Sequence, residues 1–144
     1  MSNIILPNSL KTIGTSAFEG CTSLNSLTIG NNVTDIYMSA FKDCTNLTEV
    51  TIPDSVLTLG TTVFQNCTSL NSITFGSGLT NIAGGVINGC SALKTITCKA
   101  STPPAMNGGN YLTSVTVVYV PESSLNAYKS ASQWSSYASV MVAY

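Results

Sequence analysis

One period governs this chain. The stretch from Leu6 to Ile29 is matched 23 residues later, and twice more after that, with no residue gained or lost between copies. Phe18, Phe41, Phe64 and Ile87 fall in one column, Cys21, Cys44, Cys67 and Cys90 in a second, and Leu24, Leu47, Leu70 and Leu93 in a third. A strict period of this length marks a solenoid, in which each repeat is one coil whose apolar side is covered only by the coils above and below.

Each coil divides into an extended and a compact half. In Leu24 to Ile29, apolar Leu27 and Ile29 alternate with polar Ser26 and Thr28, and the period of two means strand. Val50 with Ile52, Ile73 with Phe75, Ile96 with Cys98, and Ile4 with Leu6 are the equivalent pairs, so five rungs can form one parallel sheet. Pro7, Gly30, Pro53 and Gly76 end the rungs. Two further inward columns follow, Leu10, Val33, Val56 and Leu79, then Ile13, Ile36, Leu59 and Ile82. The Ser/Thr-x-Ala-Phe stretch after them is too short for a packed helix and is read as a single helical or 3₁₀ turn carrying an aromatic spine of Phe18, Phe41 and Phe64. Tyr37 and Met38 replace Gly14 and Thr15 in the second coil; Ala83-Gly84-Gly85 and Ile87 depart from the pattern in the fourth, which is expected to be the loosest.

Charge is scarce: five Lys, six Asp or Glu, no Arg and no His, for a net charge of -1. Such a chain has no basic track for phosphates, so nucleic acid is not an expected partner. Without His there is no Ser-His or Cys-His pair and no His-ligated metal, which excludes the commonest hydrolase designs. Glu19 shares its column with Lys42, Gln65 and Asn88, a solvated edge with one complementary pair rather than a carboxylate dyad. The chain is expected to be no enzyme and to need no cofactor. No run of 18 apolar residues occurs, so no membrane insertion is expected, and the start, Met1 to Leu6, lacks the features of a signal peptide.

Stacked rungs sit ~4.8 Å apart, a spacing at which periodic cysteines could form disulfides or a metal ladder. Each Cys nevertheless falls at an inward point, Cys98 takes a place held elsewhere by Ile29, Ile52 and Phe75, and no Cys-x-x-Cys occurs. Buried free thiols are the expectation. The sequons at Asn32, Asn46 and Asn66 arise in a Ser/Thr/Asn-rich repeat by composition.

The recurring Ile-Gly-x-x-Ala-Phe-x-x-Cys-x-x-Leu-x-x-Leu/Val-x-Ile-Pro pattern, from Ile4 to about Cys98, resembles the BspA-like leucine-rich repeat of bacterial surface and secreted proteins. The tail resembles that family's ending: Ser101-Thr102-Pro103-Pro104, a strand over Val115 to Pro121, an amphipathic segment from Leu125 through Trp134 with Leu125, Tyr128 and Ala131 on one face, and a last strand over Ser139 to Val142. The resemblance implies an α/β-type solenoid, a right-handed coil with a parallel sheet on one face, occupying residues 1–98 in about four coils, with a strand-helix cap over 99–144. It also implies a cell-surface or extracellular location in the parent protein and adhesion, including to host matrix proteins.

Outward positions of the sheet supply the candidate ligand face. Ser26, Glu49, Ser72 and Thr95 form one column and Thr28, Thr51, Thr74 and Thr97 another, a hydroxyl surface with one carboxylate suited to protein or glycan. Each hydrogen bond there contributes ~1 kcal/mol at best. Five rungs expose ~200–250 Å², against ~800 Å² per partner in a standard interface, so tight binding requires more coils, loops or several copies. Tyr37, Met38 and Tyr111 are candidate exposed anchors. The first rung, Ile4 to Leu6, has no polar cap, so it is expected to pair with a further coil, another chain or a second copy. A passive spacer or terminal cap of a longer array is the alternative to a binding module.

Overall fold

The computed structural model describes residues 2–144, and its elements follow the period. One set of strands is β1 (Ser2–Ile5), β3 (Leu24–Thr28), β5 (Glu49–Thr51), β7 (Ser72–Phe75) and β9 (Thr95–Cys98). Between them lie short strands, β2 (Thr12–Ile13), β4 (Asp35–Ile36), β6 (Thr58–Leu59), β8 (Asn81–Ile82) and β10 (Ala105–Met106). The tail adds β11 (Val117–Val120), a 3₁₀ turn (Glu122–Ser124), α1 (Leu125–Ser130), a second 3₁₀ segment (Trp134–Val140) and β12 (Met141–Ala143). The last strand thus starts two residues later than Ser139, because Ser139 and Val140 close the 3₁₀ segment.

The alternating pattern predicts one sheet; the fold has two long ones. The short strands pair in parallel in the order β2-β4-β6-β8-β10, with Asp35 opposite Thr58 and Ile36 opposite Leu59. They come from the inward column of Ile13, Ile36, Leu59 and Ile82, which sequence alone marks as buried but not as extended. The principal sheet runs β5-β7-β9-β11-β12, so its fourth and fifth strands come from the tail. The five expected rungs are not one sheet: β1 and β3 form a separate pair, and no ladder joins β3 to β5 among the described residues.

The compact half also differs from expectation. It is no helical turn but a run of β-turns in which alternate amides bond within the coil and to the next one. Ala17, Glu19 and Cys21 N–H donate three residues back, whereas Ser16, Phe18 and Gly20 N–H donate to the carbonyls of Met38, Ala40 and Lys42. Such a path needs left-handed residues, and two columns provide them: Ser16, Ser39, Thr62 and Gly85, then Gly20, Asp43, Asn66 and Gly89, all at φ between 55° and 78°. The second column holds the residue types that tolerate this conformation best.

Inside, Phe18, Phe41 and Phe64 stack with centroids 5.2 and 5.5 Å apart and planes within 6° of parallel. Ile87 continues the column and Asn110 ends it: its Nδ2 donates to Ala83 O and Asn107 O, and its Oδ1 accepts from Ile87 N–H. All five cysteines are free; Cys44, Cys67, Cys90 and Cys98 are buried. Each of the first three donates its thiol to the carbonyl of the preceding coil's Phe, at 3.1–3.3 Å. Cys21 departs from the expectation of burial and is half-buried, because it belongs to the first coil and has a coil on one side only. Burial holds the thiols of Cys44 and Cys98 above their ordinary value, Cys44 at about 11.

The tail packs through aromatic side chains that each meet a carbonyl. Tyr128 O–H donates to Ala100 O at 2.8 Å, Trp134 Nε1 to Pro104 O at 2.8 Å and Tyr137 O–H to Asn110 O at 2.6 Å. Leu125 and Ala131 lie half-buried on the face led by buried Tyr128.

Candidate functional site

The candidate face is set by the principal sheet. Inward Val50, Ile73 and Ile96 alternate with outward neighbours, so Glu49, Ser72 and Thr95 stand opposite one another, as do Thr51, Thr74 and Thr97. Ser26 and Thr28 extend both columns on β3. All eight side chains are exposed or half-exposed. The outer columns go on into the tail, where Tyr119 pairs with Thr97 on one side and Val142 on the other, changing the surface from hydroxyl to apolar. The repeat pattern gives no sign of that change, since it ends before these strands.

Between β3 and β5 the surface opens into a cleft of about 400 Å³ lined by Ser26, Leu27, Thr28, Ile29, Asn31, Glu49, Thr51 and Pro53. Four of the eight face residues border it. Its position has a steric cause. In the column of Pro7, Gly30, Pro53 and Gly76, coils approach so closely that a Cβ on Gly30 would lie 2.5 Å from Pro7 O, and one on Gly76 would lie 2.4 Å from Pro53 O. Pro53 stands above Gly30 with a Cβ and a ring, so the third coil cannot settle on the second as Gly30 and Gly76 settle on their neighbours. The expectation that the fourth coil is loosest is therefore corrected: β8 keeps both neighbours β6 and β10, β9 keeps β7 and β11, and the break lies two coils earlier.

Tyr37, Met38 and Tyr111 are about half exposed, at 48%, 50% and 50%. They do not form one site with the hydroxyl face. Tyr37 and Met38 follow β4 on the second sheet, and Tyr111 rests against Tyr137 of the tail with ring centroids 5.0 Å apart. Ile5 on the first rung is 77% exposed, while Ile4 and Leu6 are partly buried against the core. Among the acids, Glu19 lies 3.6 Å from Lys42, the complementary pair of the outer edge. Asp35 accepts from the hydroxyls of Thr58 and Thr34, which hold its carboxyl below the usual range. Among the described residues no helix is long and apolar enough to cross a membrane.

A family model described as the BspA type leucine rich repeat region matches residues 1–104 in six copies. The chain belongs to this family. Leucine-rich repeats of this kind are generally non-catalytic protein-interaction modules. No curated protein matches the chain. Among solved structures, the leucine rich repeat protein of T. pallidum is similar at 24% identity and a TM-score of 0.65 over 81% of this chain, and so shares the BspA-type chain's fold. A leucine-rich repeat protein from Bacteroides ovatus aligns at 20% identity and a TM-score of 0.43 over 83% of this chain, and the pneumococcal vaccine antigen PcpA at 16% and 0.43 over 99%. The chain spans 60% of the T. pallidum chain, 50% of the B. ovatus chain and 66% of PcpA.

Proposed function

We propose that this chain is a non-catalytic binding module of a surface or secreted protein, contacting a partner protein or a glycan through the hydroxyl face and its rims. The observation that carries the reading is the register of the face, with Glu49, Ser72 and Thr95 in one outward row and Thr51, Thr74 and Thr97 in the next. Side chains that short lose little rotamer freedom on binding, so a row of weak hydrogen bonds is retained rather than spent on ordering. The seven rungs of the two parts of the sheet, ~4.8 Å apart and ~10 Å wide, give only ~300 Å². Adhesion then rests on repetition, with further coils or several copies multiplying a weak contact. Host matrix proteins are the partner class this reading favours, and a second copy meeting the open edge of β1 is one way to multiply the face.

A second reading is a structural spacer or terminal cap, with residues 99–144 closing the array. The buried bonds of Tyr128, Trp134 and Tyr137 to carbonyls of 100–110 support the capping part of it. A multivalent display of the chain on matrix-protein and glycan arrays separates the two: binding supports the module, and silence of the whole array supports the spacer. In the binding case, Thr51→Lys with Thr74→Lys abolishes the signal and leaves the melting temperature within a few degrees. Binding that survives this double change places the contact elsewhere.

A further inference from the structure

The cleft between the second and third coils rests on the module reading and narrows it. The hydrogen bonds that tie other coils together are missing there among the described residues. Leu6 N–H donates to Thr28 O and Ile52 N–H to Thr74 O, but Ile29 N–H has no such bond to Thr51 O. Asn71 N–H donates to Thr48 O and Lys94 N–H to Asn71 O, but Thr48 N–H has none to Asn25 O. Asn31 N–H meets Asn8 Oδ1 and Ser77 N–H meets Asp54 Oδ1, but Asp54 N–H has no bond to Asn31 Oδ1. The gap is bounded, since Asn46 Nδ2 reaches Thr22 O on one side and Ser55 Oγ reaches Val33 O on the other, both at 2.7 Å.

The cleft floor is apolar. Leu27 and Ile29 keep 8% and 5% exposure where Val50, Ile52, Ile73 and Phe75 keep 0–3%. No aromatic ring lines the cleft, and Glu49 is the one charged side chain among its lining residues. An aromatic platform for a sugar ring is thus absent, while open main-chain donors and acceptors along two strands are a template for another main chain.

We propose that the cleft receives an extended peptide segment of the partner protein, whose main chain takes the hydrogen bonds left open by β3 and β5 and whose Lys or Arg side chain pairs with Glu49. The volume of about 400 Å³ lies in the ~300–1,000 Å³ range of ligand sites and holds a few residues. Because the strands remain tied at both ends of the gap, the peptide lies along its mouth and does not replace a rung.

The test sorts a bead library of capped heptapeptides of random sequence on the labelled full chain, with maltotriose as the saccharide probe and amide-resolved NMR as the map. The proposal expects enriched peptides with one basic residue at a fixed place and shifts confined to Asn25–Asn31 and Thr48–Asp54. Glu49→Gln lowers their affinity about fivefold and removes the basic preference, and Ser26→Phe, which fills the cleft, abolishes binding. Asn126→Lys, exposed on α1 and away from both the cleft and the hydroxyl face, leaves it unchanged. No enrichment, shifts mapping to β7–β11, or maltotriose shifting the cleft amides overturns the proposal, and Glu49→Gln decides it even where Ser26→Phe fails to fold. If the protein array scores while the peptides do not, the cleft assignment fails and the face stands; if both are silent, both fail.

Discussion

Truncating Phe41 tests the stacked interior most directly. Phe41 is fully buried, with rings above and below it at 5.2 and 5.5 Å. Replacing it with Ala removes the transfer free energy of most of a phenyl group, leaves a cavity that the coil backbones cannot close, and ends two stacking contacts worth ~0.5–1.5 kcal/mol each. The total expected is ~3–5 kcal/mol. For a chain of this size that lowers the melting temperature by ~6–20 °C. Phe18 is half-buried and has a ring on one side only, so Phe18→Ala is expected to cost about half as much. Ile87→Ala falls between them at ~2–4 kcal/mol, since its smaller side chain is buried but stacks on no ring. Thermal melts followed by circular dichroism in reducing buffer rank the three. Equal shifts for Phe18→Ala and Phe41→Ala would refute the idea that stability here is set by the number of stacked neighbours.

Other outcomes follow from the same contacts. In the folded protein Cys21 reacts with a thiol reagent, while Cys44, Cys67, Cys90 and Cys98 react only on unfolding; five fast thiols would contradict the packing. Burial pushes Cys44 from 9.0 up to about 11 and Tyr137 from 10.0 up to about 12, so the native state keeps protons that the unfolded chain releases. Their stabilisation is complete below pH 9 and is lost as pH rises through about 11 and 12, whereas Asp35, held below 3.8, stabilises above that value and ceases to as pH falls beneath it. With no His, denaturant midpoints measured from pH ~5 to ~8 should be flat. Asn110→Ala strands Ile87 N–H and two carbonyls and should cost ~2–3 kcal/mol by urea unfolding; a loss under ~0.5 kcal/mol would show that water replaces it. Thr62 is β-branched at φ 58°, so Thr62→Gly relieves ~1–2 kcal/mol of backbone strain, offset by unfolded-state entropy and the lost bond to Ser39, and its melting point should change little.

Much of this was legible in the period itself. Columns of Phe, Cys and Leu 23 residues apart can mean only that like lies on like, and the stacked rings, the inward thiols and the hydroxyl rows all follow from it. The second sheet was not legible, because two-residue strands such as Asp35–Ile36 are too short for an alternating pattern to show. Nor was the turn conformation, since Ala17-Phe18 alone looks helical; the left-handed positions are betrayed only by the Gly, Asp and Asn of the column of Gly20. Asn110, the polar end of the aromatic column, sits 23 residues after Ile87 and could have been found by counting on past the last full repeat.

The expectation that the fourth coil is the loosest fails for a more general reason. Against the consensus of the columns, the fourth coil, with its glycines and Ile87, is the odd one. A solenoid is held by the surfaces between adjacent coils, so what matters is which residue lies on which. Glycine over proline closes in the pair Pro7 and Gly30; proline over glycine, in the pair Gly30 and Pro53, does not. The point of easiest opening lies at the same place. An interface short of the bonds from Ile29, Thr48 and Asp54 separates at lower free energy than its neighbours, so amides of the first two coils should exchange with solvent as a group, ahead of those in the third and fourth. The proposed peptide cleft and the weakest seam then coincide at Pro53, so a peptide that bridges β3 to β5 should slow that exchange, coupling binding to the cohesion of the stack.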